Sequence, residues 1–337
     1  MKLPVMVRLG GFHLLKSYLG SIGYIMEGSG IEEMIKLIYP GCGDKFIGHI
    51  LSGGAYYKAL RCHFLIDAVI VCFIMKDIVS KDELSQAEEF LGTKAPGRQE
   101  EYDQYVFPVF QETLEKTVNK LLHSGRTPKL WMQYHGHVTV IKTYVRAERL
   151  NNFNLHLSCV AKMLPTYSAA GHINYGKGAR LYLELITMYE KSYPQIMNAF
   201  FDQGFHTVRY STREWGGVWT DLAIEQRLMK PVKSSGGLKG GRLRDKNAHK
   251  LWCLTIDHMA EINEIMSIPI QINKSNNNAT KSIQPHVDTR YTSMSKDTAA
   301  FNRVLYWIQD NNPFDVNRNM DILVSFSFGH ISLKGGS

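Results

Sequence analysis

The chain has 337 residues, 44% hydrophobic and 21% charged, which is the ordinary globular range and enough to bury a large core. Its formal charge of +8 and isoelectric point near 9.1 attract polyanions, so nucleic acid is the favoured partner class, with a merely solvated basic surface as the alternative. Five scattered cysteines argue against a paired disulfide framework and for a reducing, intracellular setting, and Met1 to Leu9 lacks the long apolar core of a secretory leader.

Pro4 to Leu9 reads as a short strand that runs through Gly10 and Gly11 into a helix starting at Phe12. In that helix Leu14, Leu15, Tyr18, Leu19, Ile22 and Ile25 recur at three-to-four spacing, and Gly28 to Gly30 should stop it. A second helix is expected over Ile31 to Tyr39. Ser52 is placed to cap a long helix from Gly54 to Val79, with Leu60, Phe64, Ala68, Val71 and Met75 on its buried face. Its most apolar run, Phe64 to Met75, is about a dozen residues with Asp67 inside, short of the roughly 20 that span a bilayer, so no membrane partner is expected.

Lys81 to Arg98 turns polar and ends in Ala95, Pro96 and Gly97, the best linker candidate. Helical patterns follow over Tyr105 to Leu122, Leu130 to Leu150, Phe153 to Ala170 and Lys177 to Tyr189, with breaks at Gly125, Pro128, Gly171 and Pro194. His206 to Ser211 has strand composition, and Thr220 to Met229 forms a helix ended by Pro231. Ser234 to Arg244 reads as a glycine-rich basic loop, Lys246 to Met266 as a helix and Ile272 to Ser282 as an Asn-rich disordered stretch. Thr298 to Asp310 is a last helix, and Asp321 to Leu333 a strand or unpaired tail. The expected fold is mainly α with a few short strands, in three stretches: 1–95, 98–230 and 231–337.

Four constellations could carry chemistry. In Arg8-Leu9-Gly10-Gly11-Phe12-His13 a strand delivers a histidine to a helix start, where it can ligate a metal, act as a base, or simply bond nearby backbone. Asp221 and Glu225 are four apart on one helical face and can share a divalent cation such as Mg or Mn, although a first-turn Asp also complements the helix dipole. Gly236 to Arg242 is a near miss to a phosphate-binding loop, with Arg242 and Leu243 where Lys and Ser or Thr belong. Contact of Lys239, Arg242 and Arg244 with a phosphate backbone fits it better. The histidines of His135-Gly136-His137, Cys62-His63 and Cys253 with His258 lack the paired spacing of a structural zinc site.

Taken in order, Arg8-Leu9-Gly10-Gly11-Phe12-His13, Leu19-Gly20-Ser21-Ile22-Gly23, Ala59-Leu60-Arg61, Arg146-Ala147-Glu148-Arg149, Asn154-Leu155-His156-Leu157, Ala179-Arg180-Leu181-Tyr182-Leu183 and Asp221-Leu222 with Ile224-Glu225-Gln226 resemble an uncharacterised multi-copy protein family of animal genomes, of transposon origin. The resemblance spans roughly Val7 to Phe314. It implies an RNase H-like transposase core with a large helical insertion, DNA as partner and a nuclear location. On that reading Val5 to Leu9 is the fourth strand, His13 marks the second metal site, and Glu225 with Asp221 supplies the late-helix carboxylate. Family members carry a long segment before the Arg-Leu-Gly-Gly-Phe-His motif, with an Asp on an earlier strand. This sequence starts almost at the motif, so the core is expected to be incomplete and N-terminally truncated.

The leading expectation is therefore a remnant of a transposase-like protein that binds nucleic acid without catalysis. A metal-dependent strand-transfer or nuclease enzyme, using His13, Asp221 and Glu225, is the second reading. A helical protein-interaction module without nucleic acid is the third.

Overall fold

The three-to-four spacing of apolar side chains after Gly10 produces the first helix, α1 (Gly11–Met26), with Leu14, Leu15, Tyr18, Leu19, Ile22 and Met26 all buried. The computed structural model describes residues 9–79, 107–204, 206–209, 215–227, 254 and 291–315. Gly28 and Gly30 take positive φ of 77° and 98°, which ends α1 and turns the chain into α2 (Ile31–Ile38). There follow α3 (Asp44–Leu51), α4 (Tyr56–Phe73) with a π-helical turn over Ile74–Ile78, α5 (Phe107–Leu122), α6 (Arg126–Leu150), α7 (Phe153–Ala169), α8 (Ile173–Ser192) and α9 (Pro194–Gln203). A two-stranded antiparallel ribbon, β1 (Thr207–Arg209) with β2 (Gly217–Trp219), pairs Thr207 with Trp219. It leads directly into α10 (Thr220–Arg227), and α11 (Tyr291–Asn311) is the last described helix. The fold is mainly α with few short strands, as the periodicities predict.

The first of two compact units draws on Met1–Leu14, Tyr144–Ser158 and Gly178–Asp288. Its described core gathers Tyr144, Ala147, Phe153, Tyr182, Ile186, Met197 and Trp219. The second draws on Leu15–Thr143, Cys159–Lys177 and Thr289–Ser337. There α11 packs on α4 and α2, and Ala300, Val304 and Ile308 line its buried side. Each unit takes residues from all three of the stretches 1–95, 98–230 and 231–337.

Several expectations are corrected. The buried face of α4 is Tyr56, Ala59, Cys62, His63, Ile66, Asp67, Val69, Ile70 and Phe73, and Ala68 is exposed. The helix is apolar nearly all round, so periodicity cannot select its inner face, and two polar residues lie on that face. Ser52 does not open α4; it closes α3, its Oγ donating to the His49 carbonyl at 3.2 Å. Pro128 is not a break, whereas the break expected at Pro194 is found, between the end of α8 at Ser192 and the start of α9. Pro128 sits in the first turn of α6 and Pro194 opens α9, positions where a missing N–H has no intrahelical partner to lose. Pro165 lies inside α7.

Pro4 to Arg8, the linker at 81–98, the basic loop at 234–244 and the predicted features at 246–266, 272–282 and 321–333 fall outside the described residues, Leu254 apart. Among the described residues no helix is long and apolar enough to cross a membrane.

Candidate functional site

In the first unit α10 brings Asp221 to the start of α1. The Asp221 carboxylate accepts the backbone N–H of Phe12 at 3.1 Å and of His13 at 2.9 Å, two donors that no carbonyl within the helix can satisfy. Because Asp221 also lies in the first turn of its own helix, one carboxylate faces the positive ends of two helices. The His13 ring completes the arrangement: Nδ1 donates to Asp221 Oδ2 at 2.9 Å, and Nε2 lies 3.2 Å from Glu225 Oε1. His13, Asp221 and Glu225, named from the sequence, are thus brought together across more than 200 residues. Their side chains are 44%, 16% and 36% exposed, so the cluster opens to solvent.

The glycines before His13 have a packing reason. A Cβ on Gly10 would collide with the Asp221 carboxylate. One on Gly11 would lie 2.6 Å from Trp219 Cδ1 and 2.9 Å from the Tyr144 hydroxyl oxygen. Only glycine lets the backbone come this close to the β2–α10 junction.

The three side chains do not converge on one point, because the imidazole stands between the carboxylates with opposite ring edges turned to each. A single ion could be held only on the Nε2 side, by His13 and Glu225, with Asp221 fixing the ring through Nδ1 in the manner of a carboxylate–histidine–metal relay. Two ligands at adjacent octahedral positions, each about 2.1 Å from an ion, stand about 3 Å apart, close to the separation found. An imidazole beside a carboxylate moves the preference from magnesium towards manganese and borderline ions. Lys239, Arg242 and Arg244 lie outside the described residues.

A second polar cluster in the first unit is buried. Glu148 near the end of α6, His156 on α7 and His206 beside β1 are each at most 1% exposed, and a carboxylate oxygen and one nitrogen of each ring lie within 4.8 Å of one another. His156 Nδ1 donates to Glu148 Oε1 at 2.6 Å, and Tyr182 Oη lies 3.3 Å from His156 Nε2. Sequence reasoning misses this cluster. Intervals of 8 and 50 residues match no zinc pattern, and the only signal is that Glu148 and His156 belong to two of the motifs in the resemblance.

In the second unit Asp67, 1% exposed, accepts Lys142 Nζ at 2.5 Å and His135 Nδ1 at 2.7 Å. His137, two residues from His135, turns elsewhere, its Nδ1 lying 3.2 Å from the Tyr18 hydroxyl oxygen. His63 pairs with the Tyr134 hydroxyl at 2.9 Å, and burial pushes its imidazole down to about 4. Burial likewise pushes the Tyr18 hydroxyl up to about 12 and keeps His137 below its ordinary value. These groups pair with one another inside the core and have the character of structural pairs, although His63 Nε2 is buried without a hydrogen-bond partner. A cleft of about 740 Å³ in the same unit is lined by Glu27, Glu32, Glu33, Lys36, Asp44 and His172 among others, and burial raises the Glu32 carboxyl.

No curated protein and no solved structure matches the chain. A family described as a domain of unknown function, DUF8702, matches residues 3–334 of the 337 and so takes in every cluster above; the chain belongs to that family.

Proposed function

We propose that the chain is a transposase-like protein that binds nucleic acid, with His13, Asp221 and Glu225 as the cation-facing part of its site. The observation that carries this reading is the meeting of these three residues at a solvent-open position, although 208 residues separate His13 from Asp221. The excess of eight positive charges supplies the long-range attraction for a phosphate backbone, and Lys239, Arg242 and Arg244 are its first candidates for contact.

The reading favours binding over turnover. Two-metal strand cleavage needs carboxylates placed between two ions. Here both oxygens of Asp221 are engaged by α1 and the His13 ring, so a cation would meet the site at Glu225 and one imidazole nitrogen. A divalent ion bound there would position a phosphate, and the chain's own residues orient that ion through the His13 ring. A DNA-binding role would place the protein in the nucleus.

The test is binding of the folded full chain to double- and single-stranded DNA over a salt series. Affinity should fall steeply with salt, and replacing Lys239, Arg242 and Arg244 by Ala should flatten the logarithmic slope by about one for each phosphate that is no longer neutralised. Glu225→Gln should leave the metal-free affinity in place and remove the part of the affinity that Mn²⁺ adds. A folded chain that ignores DNA at low salt would sink the reading and leave a helical interaction module, whereas Mn²⁺-dependent cleavage lost in Glu225→Gln would replace binding by catalysis.

A further inference from the structure

We propose that Glu148, His156 and His206 form an interior site for one zinc-class divalent ion, separate from the His13 cluster. Full burial of a glutamate is rare unless its charge is compensated. Glu148 is fully buried, and only its Oε1 is compensated, by the His156 ring. Its Oε2 is buried without a hydrogen-bond partner, and an orphaned carboxylate oxygen inside a protein calls for a bound water or ion. Arg149, next in the chain, does not fill that role: it donates to the Gly217 carbonyl at 3.1 Å and lies over Trp219.

The donor set is chemically coherent. Two imidazoles and one carboxylate are a recurrent zinc combination, in which a water or a further side chain takes the fourth position. The same three ligand types suit magnesium and calcium poorly, since those ions prefer oxygen throughout. The three side chains are also held firmly. Phe153 stacks on His156 with the rings 11° apart and packs against His206 at 5.1 Å, and the two histidine rings are 5.3 Å apart. A Cβ on Gly217 would collide with the Glu148 carbonyl, so β2 passes directly against the end of α6.

The proton is accounted for. With Nδ1 donating to Glu148, the ring proton of neutral His156 is on Nδ1 and Nε2 accepts from Tyr182. An ion taking Nδ1 moves that proton to Nε2, where the Tyr182 oxygen accepts it and the tyrosine hydroxyl turns away. Tyr182 then orients the ligating histidine from outside the coordination sphere. The ion ties α6 and α7 to the segment entering β1, so its binding is coupled to folding of the first unit.

The experiment uses the full chain, purified under reducing conditions and stripped by a chelator, and titrates it with Co²⁺ while following visible absorption. One equivalent should give the bands of a nitrogen–oxygen site, and they should persist when His13 and Glu225 are replaced by Ala and Gln. Glu148→Gln and His206→Gln, checked for fold by circular dichroism, should weaken binding at least about tenfold. Zn²⁺ should raise Tm of the wild-type chain, increasingly with its free concentration. If both variants unfold, X-ray absorption of the wild-type zinc form decides, two imidazoles and a carboxylate supporting the site and any other ligand set overturning it. A chain that holds no Co²⁺, or whose Co²⁺ is lost only with His13 and Glu225, also overturns it.

Discussion

The Asp221 carboxylate accepts hydrogen bonds from both the backbone N–H and the ring Nδ1 of His13, each at 2.9 Å. Its partner carboxylate, Glu225, meets the far edge of the same ring, at 3.2 Å. The two acidic residues of one helical face therefore have different duties. Asp221 closes the start of α1, and Glu225 faces outward.

Asp221→Asn keeps one acceptor but loses the charge opposite two helix N-termini, and should cost about 1–2 kcal/mol. Glu225→Gln removes a partly exposed contact and should cost no more than about 0.5 kcal/mol. Urea unfolding of the two variants compares them directly. Equal losses would remove the capping role of Asp221.

Gly11→Ala should destabilise the chain by about 1–3 kcal/mol or more, because the new methyl meets Trp219 and Tyr144, both buried and with little freedom to retreat. Gly136→Ala is the control, since a Cβ there meets nothing within 4 Å and the position is helical. There the same substitution should be neutral or stabilising by up to about 1 kcal/mol. Similar Tm changes in both variants would show that the close approach at Gly11 does not constrain the fold.

Stability should fall as pH drops from about 6.5 to about 4. His63 is buried and its folded value is pushed down to about 4 from the ordinary 6.5, first by desolvation, against a smaller opposing effect of Asp67. Between those values the unfolded chain takes up a proton that the folded chain refuses, so the contribution present above pH 6.5 is lost on acidification. The full difference is on the order of 3 kcal/mol, and buried His137 acts in the same direction. His63→Gln should reduce the gap between unfolding midpoints at pH 7 and pH 5. An unchanged gap would assign the acid sensitivity to other groups.

Lys142→Met removes one of two donors to the buried Asp67 carboxylate and should cost about 1.5–3 kcal/mol. Replacing both partners, as Asp67→Leu with Lys142→Met, should cost less than the sum of the single changes, because an unpaired buried carboxylate is worse than none. Strict additivity in a double-mutant cycle would show that Asp67 and Lys142 do not act as a pair.

Much of the helical order is legible in the sequence. The apolar spacing from Leu14 to Ile22 marks α1 and its buried face, and Ile31 to Ile38 and Phe153 to Ala169 appear within a residue or so of their predicted limits. The short helices α3 and α9 escape a sequence reading because eight or ten residues between glycines and prolines carry too little periodicity to register. For α4 periodicity marks the helix but selects the wrong face, since its polar residues His63 and Asp67 point inward.

The candidate site divides in the same way. His13, Asp221 and Glu225 can be named because motif order and the four-residue interval mark them, and the structure then joins them. Glu148, His156 and His206 cannot, because nothing in their spacing distinguishes them from solvated surface residues. By itself the sequence determined what local physics controls: helical periods, turns at glycine and the sign of the surface charge. The tertiary structure alone decided which polar groups leave water together, because that depends on the surface each helix meets and on partners far away in the chain.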